Sequence, residues 1–326
     1  MIILAGLLVK IVFMGSPRYA EIILRELYEI FDVVGIITQP DKRAGRGRSI
    51  HSPPVKVFAK EKGIPFLQPK KLAVEEVLSV LSEWEPHIIV VAAYGKILRS
   101  QILELPRFGC INVHASYLPK WRGASPIQAA ILNGDQTAGV TIMKMDEGID
   151  TGDIITQKEV EISESETAAS LTEKMATMGA KLLVDTLPRY INGEIFPKKQ
   201  LSKNATYAGL IKKQDGLLNF QKSAEELERQ VRAYDPWPIC YFNWNGKNVK
   251  VFNVRVLISH HLKPGQRGII EKYPCIGTRT YDLQLIKIQM PGKQKISGFV
   301  FLNGARNWVD KDAEGTNNKK QRKKNE

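Results

Sequence analysis

The sequence has few cysteines and no apolar stretch long enough to cross a bilayer. Its three cysteines, Cys110, Cys240 and Cys275, include no CxxC pair, which argues against a disulfide framework and against a cysteine-rich zinc site. The apolar start has no basic residue before it and no small-residue cleavage site, and it reaches Lys10 after only nine residues. We therefore expect a protein of the reducing cytoplasm with no membrane partner, in which residues 1–9 form an extension.

Acidic residues are only half as numerous as basic ones in residues 208–326, which contain 11 Asp and Glu against 22 Lys and Arg. The 326 residues include 47 Lys and Arg and 34 Asp and Glu, but residues 1–207 carry a net charge of only +2, while residues 208–326 carry +11. Because the neutralisation of phosphates releases condensed counterions, this asymmetry predicts a polyanionic partner for the C-terminal part. Part of the excess lies in residues 311–326, a basic tail that we expect to be disordered.

A dinucleotide-binding fingerprint is absent, since the turn after the first apolar run reads GSPRYA and not GxGxxG. Short Val- and Ile-rich runs nevertheless alternate with amphipathic stretches through residues 10–192, from KIVFMG to CINVHA. This alternation predicts a doubly wound, Rossmann-like α/β domain with buried parallel strands. Because ligands of such sheets lie beyond the carboxyl ends of the strands, we expect the chemistry just after HIIVV and CINV.

The pattern changes towards the end of this domain and beyond it. Residues 165–192 have the spacing of a long amphipathic helix, residues 193–207 are interpreted as a linker, and residues 208–310 contain one helical patch and several short strands. The Asn-Gly pair at 245–246 is a hairpin signal. We predict a small antiparallel barrel of the OB type, a fold that often binds nucleic acid.

Two polar side chains stand at the carboxyl end of the predicted strand CINVHA. Asn112 and His114 are two positions apart, so their side chains project from the same face of an extended strand. A histidine near a strand end is more often a hydrogen-bonded structural residue than a catalytic one. Taken by themselves, these residues leave both interpretations open.

A second polar segment follows the apolar run GVTIMKM. Asp146, Asp150 and Asp153 are separated by glycines there, a setting in which Asx turns and helix caps are common. Three carboxylates could also bind a cation, but the segment has no DxDxDG loop and offers fewer oxygen ligands than hard cations prefer. We therefore expect no metal site.

Several separated strings resemble the formyltransferase domain of enzymes that use 10-formyltetrahydrofolate: VVAAYGKIL, NVHASYLPKWRGASPIQAA and MDEGIDTGD. The resemblance implies that Asn112, His114 and Asp150 are catalytic, and that 10-formyltetrahydrofolate is the formyl donor. The spacing matches, since Asp150 follows His114 by 36 positions. Tyr117 departs from the family, which usually has Leu in that position of its SLLP-like loop.

The resemblance also implies which residues form the folate pocket. The pterin ring is expected in an apolar slot whose backbone groups bind its polar edge. The implied pocket residues are Ala92, Ala93, Tyr94, Gly95, Ser116, Tyr117, Leu118 and Pro119.

A basic loop carries the more specific part of the resemblance. The string at residues 39–69, QPDKRAGRGRSIHSPPVKVFAKEKGIPFLQP, is similar to that of family members that formylate methionyl initiator tRNA. The resemblance implies that Lys42, Arg43, Arg46 and Arg48 contact the tRNA, and that the C-terminal barrel holds its acceptor arm. Independently, residues 40–71 contain nine Lys and Arg and two acidic residues, a composition suited to phosphate contacts.

The expected chemistry is formyl transfer to the amino group of methionine on initiator tRNA, by a chain expected to be a monomer. Asn112 is expected to stabilise the oxyanion and His114 to share it or to accept the proton of the amine. Asp150 is expected to favour the charged imidazole, to orient it and to order a proton-carrying water. The alternatives are a formyltransferase for a small amine, such as an amino sugar nucleotide or glycinamide ribonucleotide, a folate hydrolase, and a non-catalytic RNA-binding protein.

Overall fold

The computed structural model of the chain describes residues 3–4, 7–44, 49–70, 74–258 and 261–309. Its contacts divide the chain into two compact units. Unit 1 comprises residues 1–127, 136–162 and 170–210, and unit 2 comprises residues 128–135, 163–169 and 211–326. The predicted division into an extension, a catalytic domain, a linker, a barrel and a tail stays a prediction.

The α-helices are α1 (Arg18–Ile30), α2 (Pro54–Lys62), α3 (Val74–Trp84), α4 (Ser100–Leu103), α5 (Pro126–Asn133), α6 (Ala168–Ile191), α7 (Ala224–Ala233) and α8 (Gly298–Leu302). Two 3₁₀ turns cover Ser202–Asn204 and Lys213–Gly216. The strands are β1 (Ile3–Leu4), β2 (Leu7–Leu8), β3 (Lys10–Gly15), β4 (Asp32–Ile37), β5 (Lys42–Ala44), β6 (Ser49–His51), β7 (Phe66–Leu67), β8 (Ile88–Ala92), β9 (Cys110–His114), β10 (Arg122–Gly123), β11 (Thr137–Lys144), β12 (Ile154–Glu161), β13 (Tyr207–Ala208), β14 (Cys240–Trp244), β15 (Lys247–Leu257), β16 (Arg267–Ile270), β17 (Tyr273–Gly277), β18 (Asp282–Gln289) and β19 (Lys295–Ser297).

Unit 1 is built on a seven-stranded sheet in the order β12-β11-β9-β8-β3-β4-β7. The five strands from β9 to β7 are parallel, and β11 and β12 extend the sheet with antiparallel pairs. Strands β8 and β9 are buried at every position, as expected for apolar runs covered on both faces. The predicted doubly wound α/β fold is confirmed.

The helices bury the apolar face that their spacing predicts. In α1 the buried residues include Ala20, Ile23, Leu24 and Leu27, which recur every three or four positions. Helix α2 begins with a proline and is capped at its C-terminus by Gly63, whose φ of 68° is the left-handed conformation that closes many helices. Because β4, β3, β8 and β9 are parallel, their carboxyl ends lie at one edge of the sheet, and the loops that follow them start there.

Unit 2 contains a six-stranded sheet in the order β14-β15-β18-β17-β16, with β19 paired to β18, and all its pairs are antiparallel. The predicted hairpin is present, since Asn245 and Gly246 join β14 to β15 with φ of 49° and 70°. An aromatic cluster of Trp244, Phe301 and Trp308 packs in its core. This antiparallel sheet is consistent with the small barrel that the sequence predicts.

Two further findings concern the predictions on cysteines and membranes. Cys110, Cys240 and Cys275 are free thiols, and burial raises the pKa of each to about 12. No helix in the described ranges combines the length and the apolar character that a bilayer crossing needs. The predicted disorder of the basic tail concerns residues outside the described part of the chain.

Candidate active site

Asn112 and His114 lie at the carboxyl end of β9, in the interior of the unit 1 sheet. Asn112 pairs with Val91 of β8 on one side and with Met143 of β11 on the other. The two polar residues are only 8% and 7% exposed. A buried amide and a buried imidazole need polar partners, because an unpaired polar group costs about 1–3 kcal/mol.

Asp150 supplies the partner for both. Its Oδ1 lies 3.4 Å from Nδ2 of Asn112 and 3.5 Å from Nδ1 of His114, while its Oδ2 accepts a 2.8 Å hydrogen bond from the backbone N–H of Gly123. The structure therefore brings together the three residues that the sequence groups as catalytic. The carboxylate accepts a short hydrogen bond from Gly123 and makes longer contacts with Asn112 and His114.

The other nitrogen of His114 also faces an oxygen. Nε2 lies 3.2 Å from the backbone carbonyl oxygen of Trp121. A carbonyl oxygen only accepts hydrogen bonds, so Nε2 carries a proton in this arrangement. Because Nδ1 faces Asp150, the ring can donate on both sides only as the imidazolium, whereas a neutral ring protonated at Nε2 turns its Nδ1 lone pair toward the Asp150 carboxylate.

Asp146 of the same segment has partners outside this group. Asp146 accepts from the backbone N–H of Gly148 at 3.1 Å and from the hydroxyl of Thr151 at 2.7 Å, which is an Asx-type turn. No cluster of three or more His, Cys, Asp or Glu side chains suited to a metal ion occurs within the described ranges.

The first turn of the predicted folate pocket leaves the sheet after β8, next to the strand that carries Asn112. Ala92 is buried, while Ala93 and Gly95 are exposed with φ of 44° and 72°. The turn is fastened by Gln39, whose Nε2 donates to the carbonyl oxygen of Tyr94 at 2.8 Å. The Tyr94 ring is buried, which raises its pKa to about 12, so its hydroxyl stays protonated near neutral pH.

The second turn of the predicted pocket, residues 116–119, follows β9. Thr141 of β11 fixes it from both ends, because its hydroxyl donates to the Ser116 carbonyl at 2.7 Å and accepts from the Leu118 N–H at 3.1 Å. Ser116 and Leu118 are buried, Pro119 follows a cis peptide bond, and Tyr117 is 42% exposed. The two turns leave adjacent parallel strands at the same edge of the sheet.

The basic loop also starts at this edge, because it follows β4. Lys42 is exposed at the start of the β5–β6 hairpin, and the structure describes the backbone of Arg43 in the same strand. Arg46 and Arg48 lie outside the described residues. Burial, and secondly the charge of Lys42, lower the pKa of Lys96.

Sequence reasoning missed the groups that hold the three residues in place. These are the carbonyl of Trp121, the N–H of Gly123 and the side chain of Gln200, which binds the backbone of the loop between β11 and β12 (residues 145–153, the Asp150 loop). Trp121 and Gly123 lie inside the string NVHASYLPKWRGASPIQAA, so the resemblance covered them without giving them a role. Gln200 lies 50 positions beyond Asp150, and no spacing rule connects the two.

Comparison with known proteins identifies the family. Residues 9–187 match the formyl transferase family, and residues 210–306 match the formyl transferase C-terminal domain. The chain belongs to the formyl transferase family. The predicted resemblance is thereby confirmed, and its two parts match the two halves of the chain in which sequence reasoning predicted different folds.

Similar family members include proteins named methionyl-tRNA formyltransferase. The protein of Bacillus pumilus (strain SAFR-032) is 44% identical over 91% of this chain and 95% of its own length. That of Myxococcus xanthus (strain DK1622) is 47% identical over 90% of this chain and 95% of its own length.

Solved structures of formyl transferases share the fold. WlaRD, a sugar 3N-formyl transferase studied with dTDP and 5-N-formyl-THF, superposes with a TM-score of 0.64, at 22% identity, over 89% of this chain and all of its own. The N-formyltransferase from Helicobacter canadensis, in complex with folinic acid and dTDP-3-aminofucose, gives a TM-score of 0.62 at 20% identity over 86% of this chain and 99% of its own. At these identities the likeness supports the fold alone.

Proposed function

We propose that this formyl transferase moves the formyl group of 10-formyltetrahydrofolate to the α-amino group of methionine on initiator tRNA. The observation that carries the proposal is the 44–47% identity with methionyl-tRNA formyltransferases, which extends over about nine-tenths of the chain. The convergence of Asn112 and His114 on Asp150 supports it, because it provides the groups that acyl transfer to an amine needs.

The two turns at the sheet edge fit a folate donor. Ala93 and Gly95 are exposed and carry little or no side chain, so a flat ring can approach the backbone closely. The second turn, residues 116–119, supplies the apolar side chain of Leu118 and the exposed ring of Tyr117. We infer that these turns hold the folate beside Asn112, which the register places next to Val91 on β8.

In the proposed reaction, the formyl carbon exchanges its bond to the folate nitrogen for a bond to the methionine nitrogen. One proton leaves the amine, and one proton reaches the departing nitrogen. Asn112 donates its amide N–H to the formyl oxygen, on which negative charge develops, and such a donor is worth on the order of 10²–10³ in rate. His114 accepts the amine proton at Nδ1 while Nε2 stays bound to the Trp121 carbonyl.

Asp150 completes the proposed mechanism. Its carboxylate faces the nitrogen of His114 that takes up the proton, so the imidazolium that forms gains a charged hydrogen-bond partner. The Gly123 N–H fixes that carboxylate from the opposite side. The chemistry requires neither a metal ion nor a covalent enzyme intermediate.

The first experiment is transfer of label from formyl-labelled 10-formyltetrahydrofolate to tRNA. Charged initiator tRNA is compared with charged elongator methionine tRNA and with uncharged initiator tRNA. We expect label only on charged initiator tRNA. Label on a small amine such as glycinamide ribonucleotide, with none on tRNA, would contradict the proposal.

A further inference from the structure

Gln200, which follows α6 in the chain, contacts the backbone of the Asp150 loop with its side-chain amide. Nε2 of Gln200 donates to the backbone carbonyl oxygen of Asp150 at 2.9 Å and to that of Gly152 at 2.7 Å. An amide nitrogen has two hydrogens, so these two bonds use its full donor capacity. We propose that Gln200, held by Arg122, is a positioning residue that fixes Asp150 for formyl transfer, an inference that rests on the proposed function.

Arg122 fixes the orientation of this amide. Its Nε and Nη2 donate to Oε1 of Gln200 at 3.1 Å and 2.7 Å. If the amide were turned over, its NH₂ would face the guanidinium donors and its oxygen would face two carbonyl oxygens. The hydrogen bonds therefore permit one orientation only, and the amide links Arg122 rigidly to the Asp150 loop.

The Asp150 loop needs such a support because its backbone is unfavourable. Asp150 has a φ of 53°, in the left-handed region that costs a residue with a side chain on the order of 1–3 kcal/mol. Gly152 is packed so closely that a β-carbon there would lie 1.9 Å from the Lys144 carbonyl oxygen. A strained residue persists only where the surrounding structure holds it, and Gln200 binds the carbonyl of Asp150 as well as that of the closely packed Gly152.

The neighbours of Arg122 in the chain also contact the site. Trp121 gives its carbonyl to His114, and Gly123 gives its N–H to the Asp150 carboxylate. Strand β10, which contains Arg122, pairs with β13. The Arg122 N–H donates to the carbonyl of Thr206, the residue before β13, at 2.8 Å. Residues 200–207 thus contact the groups that hold Asp150 and His114, in a region that the sequence interpretation treats as a linker.

The cost of burying Arg122 argues that this support serves more than the fold. Arg122 is 2% exposed, and within the described residues its guanidinium hydrogen-bonds to the neutral amide of Gln200. A buried charge without a carboxylate partner is expensive, and apolar residues of similar volume often stabilise a protein as well or better. A contact that only filled space would not require this charge.

The test is Gln200→Glu, which keeps an acceptor for Arg122 but places an oxygen against the two carbonyl oxygens of the loop. We expect kcat for formylation of charged initiator tRNA to fall on the order of 10- to 100-fold, because small misplacements of catalytic groups have effects of this size. KM for tRNA and for the folate should stay within about twofold. Gln101→Glu, which adds the same charge on α4, should match wild type.

A second variant separates positioning from stability. Arg122→Met/Gln200→Leu replaces the polar pair with an apolar pair that preserves the packing, while the Asp150 and Gly152 carbonyls lose their donor, so the melting temperature should fall by a few degrees. The kcat values are therefore compared at a temperature at which wild type and the double variant are both folded. We expect kcat to fall as in Gln200→Glu. A double variant with kcat within about threefold of wild type would overturn the inference.

Coupling to Asp150 gives the most specific readout. If Gln200 acts through Asp150, Gln200→Glu should cause no further loss of single-turnover rate in an Asp150→Ala background, and an equal loss in both backgrounds would contradict the inference. If wild type formylates tRNA and Gln200→Glu is equally active, the inference about Gln200 is wrong and the proposed function stands. Wild type that transfers no formyl group to tRNA would overturn the proposed function itself.

Discussion

The two sheets of this protein differ in where their polar residues lie. In the seven-stranded sheet of unit 1, Asn112 and His114 are almost buried at the end of β9, within reach of Asp150. In the six-stranded sheet of unit 2, lysines lie exposed on one face. Lys250 pairs with Gln289, and Gln289 pairs with Lys295, so the two lysines flank β18 in one row.

The difference supports a division of the proposed function between the two units. Buried polar groups with fixed partners act at short range on a reacting atom, whereas exposed lysines act at longer range on phosphates and are weakened by salt. Lys295 also lies over the ring of Phe252, with its Nζ 3.9 Å from the ring centroid. A basic face with an aromatic ring is typical of a nucleic-acid platform, and the net charge of +11 in residues 208–326 agrees with it.

The largest effect is expected from truncation of the three buried residues. Asn112→Ala, His114→Ala and Asp150→Ala should each lower kcat by at least about 10², because each removes a group that acts on the developing charge or on the moving proton. Binding of tRNA, measured by filter retention, should be unchanged. Asp153→Asn removes a carboxylate from the same loop and should retain activity, while a His114→Ala protein within about threefold of wild type would refute the assignment.

Most of the fold of unit 1 could be predicted from the sequence, for a physical reason. Runs such as KIVFMG and HIIVVAAYG are apolar throughout, and only buried parallel strands combine that pattern with intervening amphipathic helices. In unit 2 the Asn-Gly turn predicts the hairpin of β14 and β15, but β19 and α8 have only three and five residues and are too short to show a period.

The candidate site was predictable only in part. The spacing of Asn112 and His114 placed both on one face of a strand, and the family resemblance added Asp150. Gln200 could not be found in this way, because its role depends on the path of the chain between α6 and β13. A glutamine in a polar segment has many uses, and its meaning here comes from two backbone carbonyls and a buried arginine.

An intermediate effect is expected from the lysine face of unit 2. Lys250→Ala/Lys295→Ala should raise KM for tRNA on the order of 5- to 10-fold near physiological salt and leave kcat unchanged. The dependence of log KM on log salt should also become shallower, because about two fewer counterions are released. The matched control is Lys158→Ala/Lys181→Ala, which removes two exposed lysines from unit 1. Equal salt dependence in both double variants would mean that the face does not touch tRNA.

The smallest effect on KM is expected from the basic loop at the edge of the unit 1 sheet. Strands β5 and β6 pair Ala44 with Ser49, and Arg46 belongs to the four residues between them, outside the described part of the chain. Arg46→Ala should raise KM for tRNA a few-fold in a salt-dependent way, since one phosphate contact is lost. Lys181→Ala is the control, and an unchanged KM would exclude the loop from binding.

Arg46→Lys then decides what the loop contributes. Lysine keeps the charge but loses the planar fork that binds a phosphate through two hydrogen bonds. If the loop acts like the lysine face of unit 2, Arg46→Lys should behave as wild type. If the loop orients the acceptor end beside Asn112 and His114, Arg46→Lys should also lower kcat, because a misplaced amine reacts more slowly even when it is bound. In that case the edge of the first sheet combines chemistry with part of the tRNA binding.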